Sequence, residues 1–270
     1  MQPHTSYVPG RARADGQGSA RATTAEKRAA ESNPYVDERG EDEAAAPGRD
    51  IEQLAQLGYT VLAVDPSGIG KRASEESDDS DYLFGKSKIV WLALMVGKPL
   101  VELRMDDILR GVDLLSEKGL LYDGQCLGFG KGFVSVDLLH AAVMDQRIAG
   151  VVIEDGLLSY ASMARTPIQR QVFDTMVPGV LGTYDLPDLV ASLAPRRVQL
   201  VNMRSPVGNV LFLREVQSEY AYTHAAYSAI GSAGRLRLGR RREGESIAAA
   251  YPDLRQSHNE GERLSAIRWL

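Results

Sequence analysis

Gly124-Gln125-Cys126-Leu127-Gly128-Phe129-Gly130-Lys131-Gly132-Phe133 lies near the middle of the chain and decides how the rest is read. A short apolar run enters it, and glycines follow at 128, 130 and 132. Beyond it, Val134, Val136, Leu138, Leu139, Ala142 and Val143 recur at helical spacing. The pattern predicts a strand, a sharp turn and a helix, with Gly130 at the apex. Glycine adopts backbone conformations closed to other residues and lets a helix approach a strand closely. A phosphate-binding loop, G-x-x-x-x-G-K-[ST], fits poorly. Gln125 stands where its first glycine belongs, and Gly132 where its hydroxyl belongs. A dinucleotide fingerprint matches at Gly128 and Gly130 but meets Phe133 at its third glycine. Glu154 and Asp155, closing the next apolar run, are spaced like its ribose-binding acid. The third reading is a tight turn without chemistry.

Working outward, strands and helices alternate. Upstream, Tyr59-Thr60-Val61-Leu62-Ala63-Val64 is a nearly continuous apolar run, as expected of a buried parallel strand. A short helix with Ile51, Leu54, Ala55 and Leu57 precedes it, stopped by Gly58. Two helical stretches, residues 82 to 96 and 100 to 117, separate it from the glycine-rich segment, with a polar loop at 73 to 81 before them. Downstream, 148 to 153 and 198 to 202 read as strands, and 236 to 238 as a last one. A short helix is expected over 186 to 193 and a longer one over 206 to 230. Tyr35 and Val36 start a short strand, and 38 to 49 reads as a polar loop. Strands alternating with helices imply a doubly wound, mostly parallel α/β sheet of about five to six strands.

Composition sets further bounds. The chain has 270 residues, 44% hydrophobic and 25% charged, in the range of a globular protein with a sizeable core. Three segments are expected: 1 to 33, with almost no large apolar side chains and therefore disordered or loosely packed; a domain over 34 to 245; and a polar tail over 246 to 270 with a helix near 264 to 270. The net charge of −5 gives no bias toward polyanions, so no nucleic-acid partner is expected. Arg235, Arg237, Arg240, Arg241 and Arg242 cluster, but Glu243 and Glu245 follow, which reads as a solvated strand edge. The single cysteine, Cys126, lies in an apolar run and reads as a buried inert thiol. One Cys and four scattered His offer no zinc cluster, and neither a metal nor another cofactor is expected. No run is long enough to span a bilayer, and the first ten residues lack a signal-peptide core. As written the chain reads as cytoplasmic; as a piece of a longer precursor it would be secreted.

Three stretches together resemble the α/β-hydrolase superfamily, most closely its acetyl-xylan-esterase-like and dienelactone-hydrolase-like members. The segment Gly58-Tyr59-Thr60-Val61-Leu62-Ala63-Val64-Asp65-Pro66-Ser67-Gly68-Ile69-Gly70 is similar to the family's G-Y-x-V-hydrophobic-D-x-R-G-x-G, with Ser67 in place of the arginine. Gly128 to Gly132 resembles the nucleophile elbow, G-x-S-x-G. Asp145-Gln146-Arg147-Ile148 resembles the D-x-R-I that leads into the next strand. The resemblance covers about residues 50 to 240; residues 1 to 49 offer no counterpart to the front of the fold, which reads as truncated there.

The resemblance implies carboxylic-ester chemistry by serine, acid and histidine in that chain order. It places the nucleophile at Gly130, a vacant position, and one oxyanion-hole N–H on Lys131. The acid loop reads Met203-Arg204-Ser205-Pro206, without a carboxylate, and the histidine position leaves only His258. Ser67, Asp155 and Ser205 are the other candidates for a site at the carboxyl ends of the strands. Ser135, His140 and His224 read as helix-face or core residues. Three functions follow: an ester-hydrolase relative with reduced or lost catalysis, taking a small ester or acetylated carbohydrate; a non-catalytic structural or interaction domain; and a degenerate nucleotide-binding domain.

Overall fold

The computed structural model describes residues 5–8, 32–70, 87–170 and 172–251. The expectations for 9–31, the loop at 73–81, the first residues of the 82–96 helix, His258 and the helix at 264–270 lie outside the described residues. Among the described residues, seven strands form one sheet: β1 (Thr5–Val8), β2 (Ser32–Asp37), β3 (Thr60–Val64), β4 (Cys126–Lys131), β5 (Ile148–Glu154), β6 (Arg197–Val201) and β7 (Leu236–Gly239). Their spatial order is β1-β3-β2-β4-β5-β6-β7. β1 runs antiparallel to β3, and every other pairing is parallel.

Residues 1 to 49 thus supply two strands next to β3. Thr5–Val8, in a stretch expected to lack structure, supplies one edge strand. β2 inserts between β3 and β4. Its run Ser32-Asn33-Pro34-Tyr35-Val36-Asp37 carries few large apolar side chains, but Asn33 and Asp37 are buried with the rest.

Alternate residues of the strands serve two cores, as the two-residue period of a strand requires. Val36, Leu62, Val64, Val151, Ile153, Val198 and Leu200 face the larger one. It is covered by α4 (Leu100–Glu117), α5 (Ser135–Met144) and α7 (Leu186–Ser192). Tyr35, Val61, Ala63, Phe129 and Val152 face the other, closed by α2 (Asp50–Gln56) and by Ile247 and Tyr251. Ile247 and Tyr251, in the stretch expected as a polar tail, are almost fully buried. The remaining helices are α1 (Glu41–Ala44), inside the expected loop, α3 (Ser87–Met95), α6 (Tyr160–Arg165), α8 (Leu213–Glu219), α9 (Ala221–Ala229) and α10 (Ile247–Ala250). Among the described residues, no helix is long and apolar enough to cross a membrane.

The G-Y-x-V…G-x-G stretch has a steric logic. Asp65 ends β3 fully buried and accepts the Glu41 N–H at 2.6 Å. Gly70, at φ +52, lies so close that a Cβ there would sit 2.6 Å from Asp65 Oδ1. The carboxylate and the final glycine thus require each other.

Candidate functional site

β4 stays extended through Gly130, which pairs with Val36 on one side and Ile153 on the other. The chain turns two residues later. Gly132 has φ +79, a conformation that costs glycine nothing and strains other residues. α5 starts at once, with Ser135 N–H donating back to Gly132 C=O at 3.1 Å. Gly128 and Gly130 answer a different need. A Cβ on Gly128 would lie 2.8 Å from Leu138 Cδ1, and one on Gly130 would lie 2.8 Å from Ser135 Cβ. Both let α5 lie flat on the strand.

The space in front of Gly132 is filled. A Cβ there would overlap the Glu38 carboxylate and lie 2.5 Å from Glu38 Cγ. Glu38 follows β2 immediately, and its Oε2 accepts the Phe133 N–H at 2.9 Å. Its other oxygen lies 3.8 Å from Arg204 Nη1. Arg204 also donates from Nε to Asp155 Oδ1 at 3.2 Å. Asp155 ends β5 with φ 59, an unusual conformation for a residue with a Cβ. Burial raises the Glu38 pKa; the Phe133 N–H and Arg204 pull it down, Asp37 and Asp155 push it up, and the net shift is upward. The elbow is thus occupied by a half-exposed carboxylate in a Glu38–Arg204–Asp155 cluster.

Two charge networks flank it. On the face of α2, Lys131 Nζ lies 2.6 Å from Asp50 and 3.4 Å from Glu154. Arg241 bridges the same two carboxylates at 2.8 and 2.9 Å, and Tyr251 donates to Glu154 at 3.0 Å. Burial opposes the charge of Asp50, but Arg241 and Lys131 outweigh it and hold its pKa below the usual value. On the opposite face Arg104, fully buried, donates from Nε to Ser67 C=O and from Nη2 to Asp174, both at 2.9 Å. Its Nη1 lies 3.5 Å from Asp137 of α5. Burial acts against its charge, yet the two carboxylates keep its pKa above the ordinary value. Among the described residues, no group of three or more His, Cys, Asp or Glu is gathered to hold a metal ion.

No protein-family model matches the sequence, and no curated protein matches it significantly. Solved structures do match. A Bacteroides fragilis protein assigned as an acetyl xylan esterase superposes with a TM-score of 0.62 at 16% identity, over 82% of this chain and 61% of its own. A glucuronoyl esterase from Caldicellulosiruptor kristjansonii gives 0.56 at 13% identity, over 98% of this chain and 76% of its own. An acetyl xylan esterase from Paenibacillus gives 0.55 at 14%, over 89% and 73%. The chain has the α/β-hydrolase fold. It spans less than two thirds of the Bacteroides protein it matches.

In an α/β-hydrolase elbow the reactive side chain comes from the strained residue of the turn, and the following N–H is one oxyanion donor. Here the strained residue of the turn is Gly132, followed by Phe133. The sequence expectation puts the nucleophile at Gly130 and the N–H on Lys131, two residues that lie inside β4. The glycine pattern G-x-G-x-G was aligned on its middle member, whereas Gly128 and Gly130 belong to helix packing and only Gly132 turns the chain. For the same reason the dinucleotide fingerprint has no turn to occupy, since its two matched glycines lie inside β4. The Lys131 ammonium belongs to the Asp50–Glu154 network on the other face of the sheet.

The remaining candidates go to separate partners. Ser67 donates from its hydroxyl to Asp107 Oδ2 at 2.7 Å and from its N–H to the same oxygen at 2.9 Å. Asp155 joins Arg204 beside the elbow. Ser205 sits in a turn, its N–H donating to Asn209 C=O at 2.9 Å. Ser135 is buried and lines a small apolar cavity with Leu157, Met203 and Tyr220. Both ring nitrogens of His140 are engaged, by Val136 C=O at 2.7 Å and the Tyr184 hydroxyl at 3.0 Å, and burial lowers its pKa. His224 is exposed on α9. Sequence reasoning missed Glu38, placed in a polar loop, and Arg204, passed over in a search for a carboxylate. The Arg241 guanidinium is likewise buried in an ion network, not on a solvated edge.

Proposed function

We propose that this chain is a relative of the carboxylic-ester hydrolases whose ester chemistry is reduced or lost, and that its cleft faces a small ester or acetylated-carbohydrate ligand. One observation carries the reading. The side-chain position of the elbow belongs to a glycine, and the volume in front of it holds the Glu38 carboxylate. A serine hydrolase needs an attacking hydroxyl there and a free N–H for the developing oxyanion. Gly132 supplies no oxygen, and the Phe133 N–H is spent on Glu38. The esterases among the structural neighbours favour this class of ligand.

The test is turnover of p-nitrophenyl acetate by the purified chain, with and without a serine-directed phosphonate. A triad-deficient hydrolase keeps only a residual enhancement of about 10³–10⁴ over water. The native chain should stay within that residual range, and the phosphonate should change nothing. Robust turnover abolished by the phosphonate would sink the proposal and point to a nucleophilic serine elsewhere, with Ser67 and Ser135 examined first.

A further inference from the structure

The missing elbow side chain and the carboxylate standing in its place belong to different strands of the sheet. Gly132 follows β4 and Glu38 follows β2, and the two strands pair directly through Tyr35–Phe129, Val36–Gly130 and Asp37–Lys131. The register therefore sets the two residues past their strands side by side. A side chain at 132 and Glu38 in its observed position cannot coexist, because a Cβ on Gly132 would overlap the carboxylate. Phe133 N–H, the hydrogen-bond donor such a pocket would offer to an incoming oxygen, is already engaged at 2.9 Å. Yet Glu38 is not locked in: its side chain is 36% exposed, it sits in the turn that follows β2, and Arg204 reaches it only at 3.8 Å while serving Asp155 at 3.2 Å.

We propose that Glu38 is an internal ligand of the elbow: a carboxylate that takes the position of both a side chain at 132 and an external oxygen ligand. This deepens the reading of the elbow as a former ester-hydrolase site and rests on it. Because Glu38 is tethered beside the pocket, its effective concentration there is on the order of millimolar or higher, and a weak external carboxylate competes poorly while it is present. Without it, the Phe133 N–H and one edge of the Arg204 guanidinium are left to a small carboxylate such as acetate. The charged groups facing Glu38 are Asp37 beside it in the chain, Asp155 after β5 and Arg204 after β6.

Two thermal-unfolding measurements on the full chain test this, neither of them using ester turnover. The first is a cycle over Gly132→Ala and Glu38→Ala. In the native background Gly132→Ala meets both the positive φ and the Glu38 carboxylate; in Glu38→Ala only the φ strain remains. The drop in Tm caused by Gly132→Ala should therefore be clearly smaller in Glu38→Ala than in the native chain. In Glu38→Gln, whose amide fills the same volume, it should stay as large as in the native chain. Equal drops in all three backgrounds overturn the proposal, and the Gln comparison stands if the Ala variant folds poorly. The second compares sodium acetate with sodium chloride at equal ionic strength. Acetate should raise the Tm of Glu38→Ala above its value in chloride and leave the native chain unmoved. An equal response in both proteins, or none in Glu38→Ala, removes the pocket from the proposal and overturns it. Failure here leaves the ester-turnover result intact, so the two readings fall separately.

Discussion

Replacing Arg104 with methionine tests what holds the segments at the carboxyl ends of the strands together. Arg104 reaches from α4 to three segments: the loop after β3 through Ser67 C=O, α5 through Asp137, and the 3-10 turn at Phe173–Thr175 through Asp174. Its side chain and that of Asp137 are both 0% exposed, and that of Asp174 is 13% exposed. Methionine fills most of the aliphatic volume, so the loss is electrostatic. Removing one partner of a buried ion pair leaves the other charge without compensation and costs about 3–5 kcal/mol. Native domains have only about 5–15 kcal/mol in total. At roughly 2–4 °C per kcal/mol for a domain of this size, Arg104→Met should lower Tm by about 6–20 °C. Urea unfolding followed by far-UV circular dichroism measures the free energy directly. Adding Asp137→Leu should recover part of the loss, because one of the two carboxylates that face Arg104 goes with it. A single-variant loss below about 1 kcal/mol, or a double variant no better than the single one, would refute the assignment of this cluster as a buried clamp.

Other perturbations give distinct signatures. Gly130→Ser should show no gain in ester turnover and a loss of about 1–3 kcal/mol, since its Cβ would press on Ser135 and Leu138; an active, undamaged variant would return the elbow apex to position 130. Glu38 has a raised pKa in the fold, so its contribution to stability is full in acid and is lost as pH climbs through that raised value. Glu38→Gln should therefore gain stability relative to the native chain as pH rises above about 4, and a pH-independent difference contradicts this. His140 has a lowered pKa, mainly through burial, so its contribution is present above about pH 6.5 and is lost as pH falls through the folded value. His140→Gln should flatten the acid side of the native Tm profile in that window; an unchanged profile places the pH dependence elsewhere.

The parallel strands β3, β4, β5 and β6 were legible because strands buried on both faces must be apolar at nearly every position. β2 was only half legible. Asn33 and Asp37 lie buried in it, and a pattern built on hydrophobicity gives polar residues no weight there. Asp37 is compensated locally, by the Arg39 guanidinium at 2.7 Å and the Tyr35 hydroxyl at 3.3 Å, and only the folded turn brings these groups around it. The networks at the strand ends were less legible still. Arg241 and Asp50 are 191 residues apart in sequence, and no local signal links them. A cluster of arginines followed by glutamates is ordinarily a solvated face, and nothing in the sequence marks Arg241 apart from the other four.

The two-residue offset between the expected apex and the observed turn has a physical source as well. Glycine is selected for three reasons: a positive φ, a close approach of another element, or an exposed flexible turn. Sequence displays the residue and hides the reason. Gly128, Gly130 and Gly132 are identical letters, but the first two make room for Leu138 and Ser135 of α5, and the third turns the chain. The distinction appears only when the helix is laid on the strand. It also changes the chemistry under discussion. With the apex at Gly130, the elbow would simply lack a serine. With the apex at Gly132, it lacks a side chain where the Glu38 carboxylate lies, and a hydroxyl placed there has to displace that carboxylate. A vacant position can be refilled by one substitution alone, whereas an occupied one also asks its occupant to move.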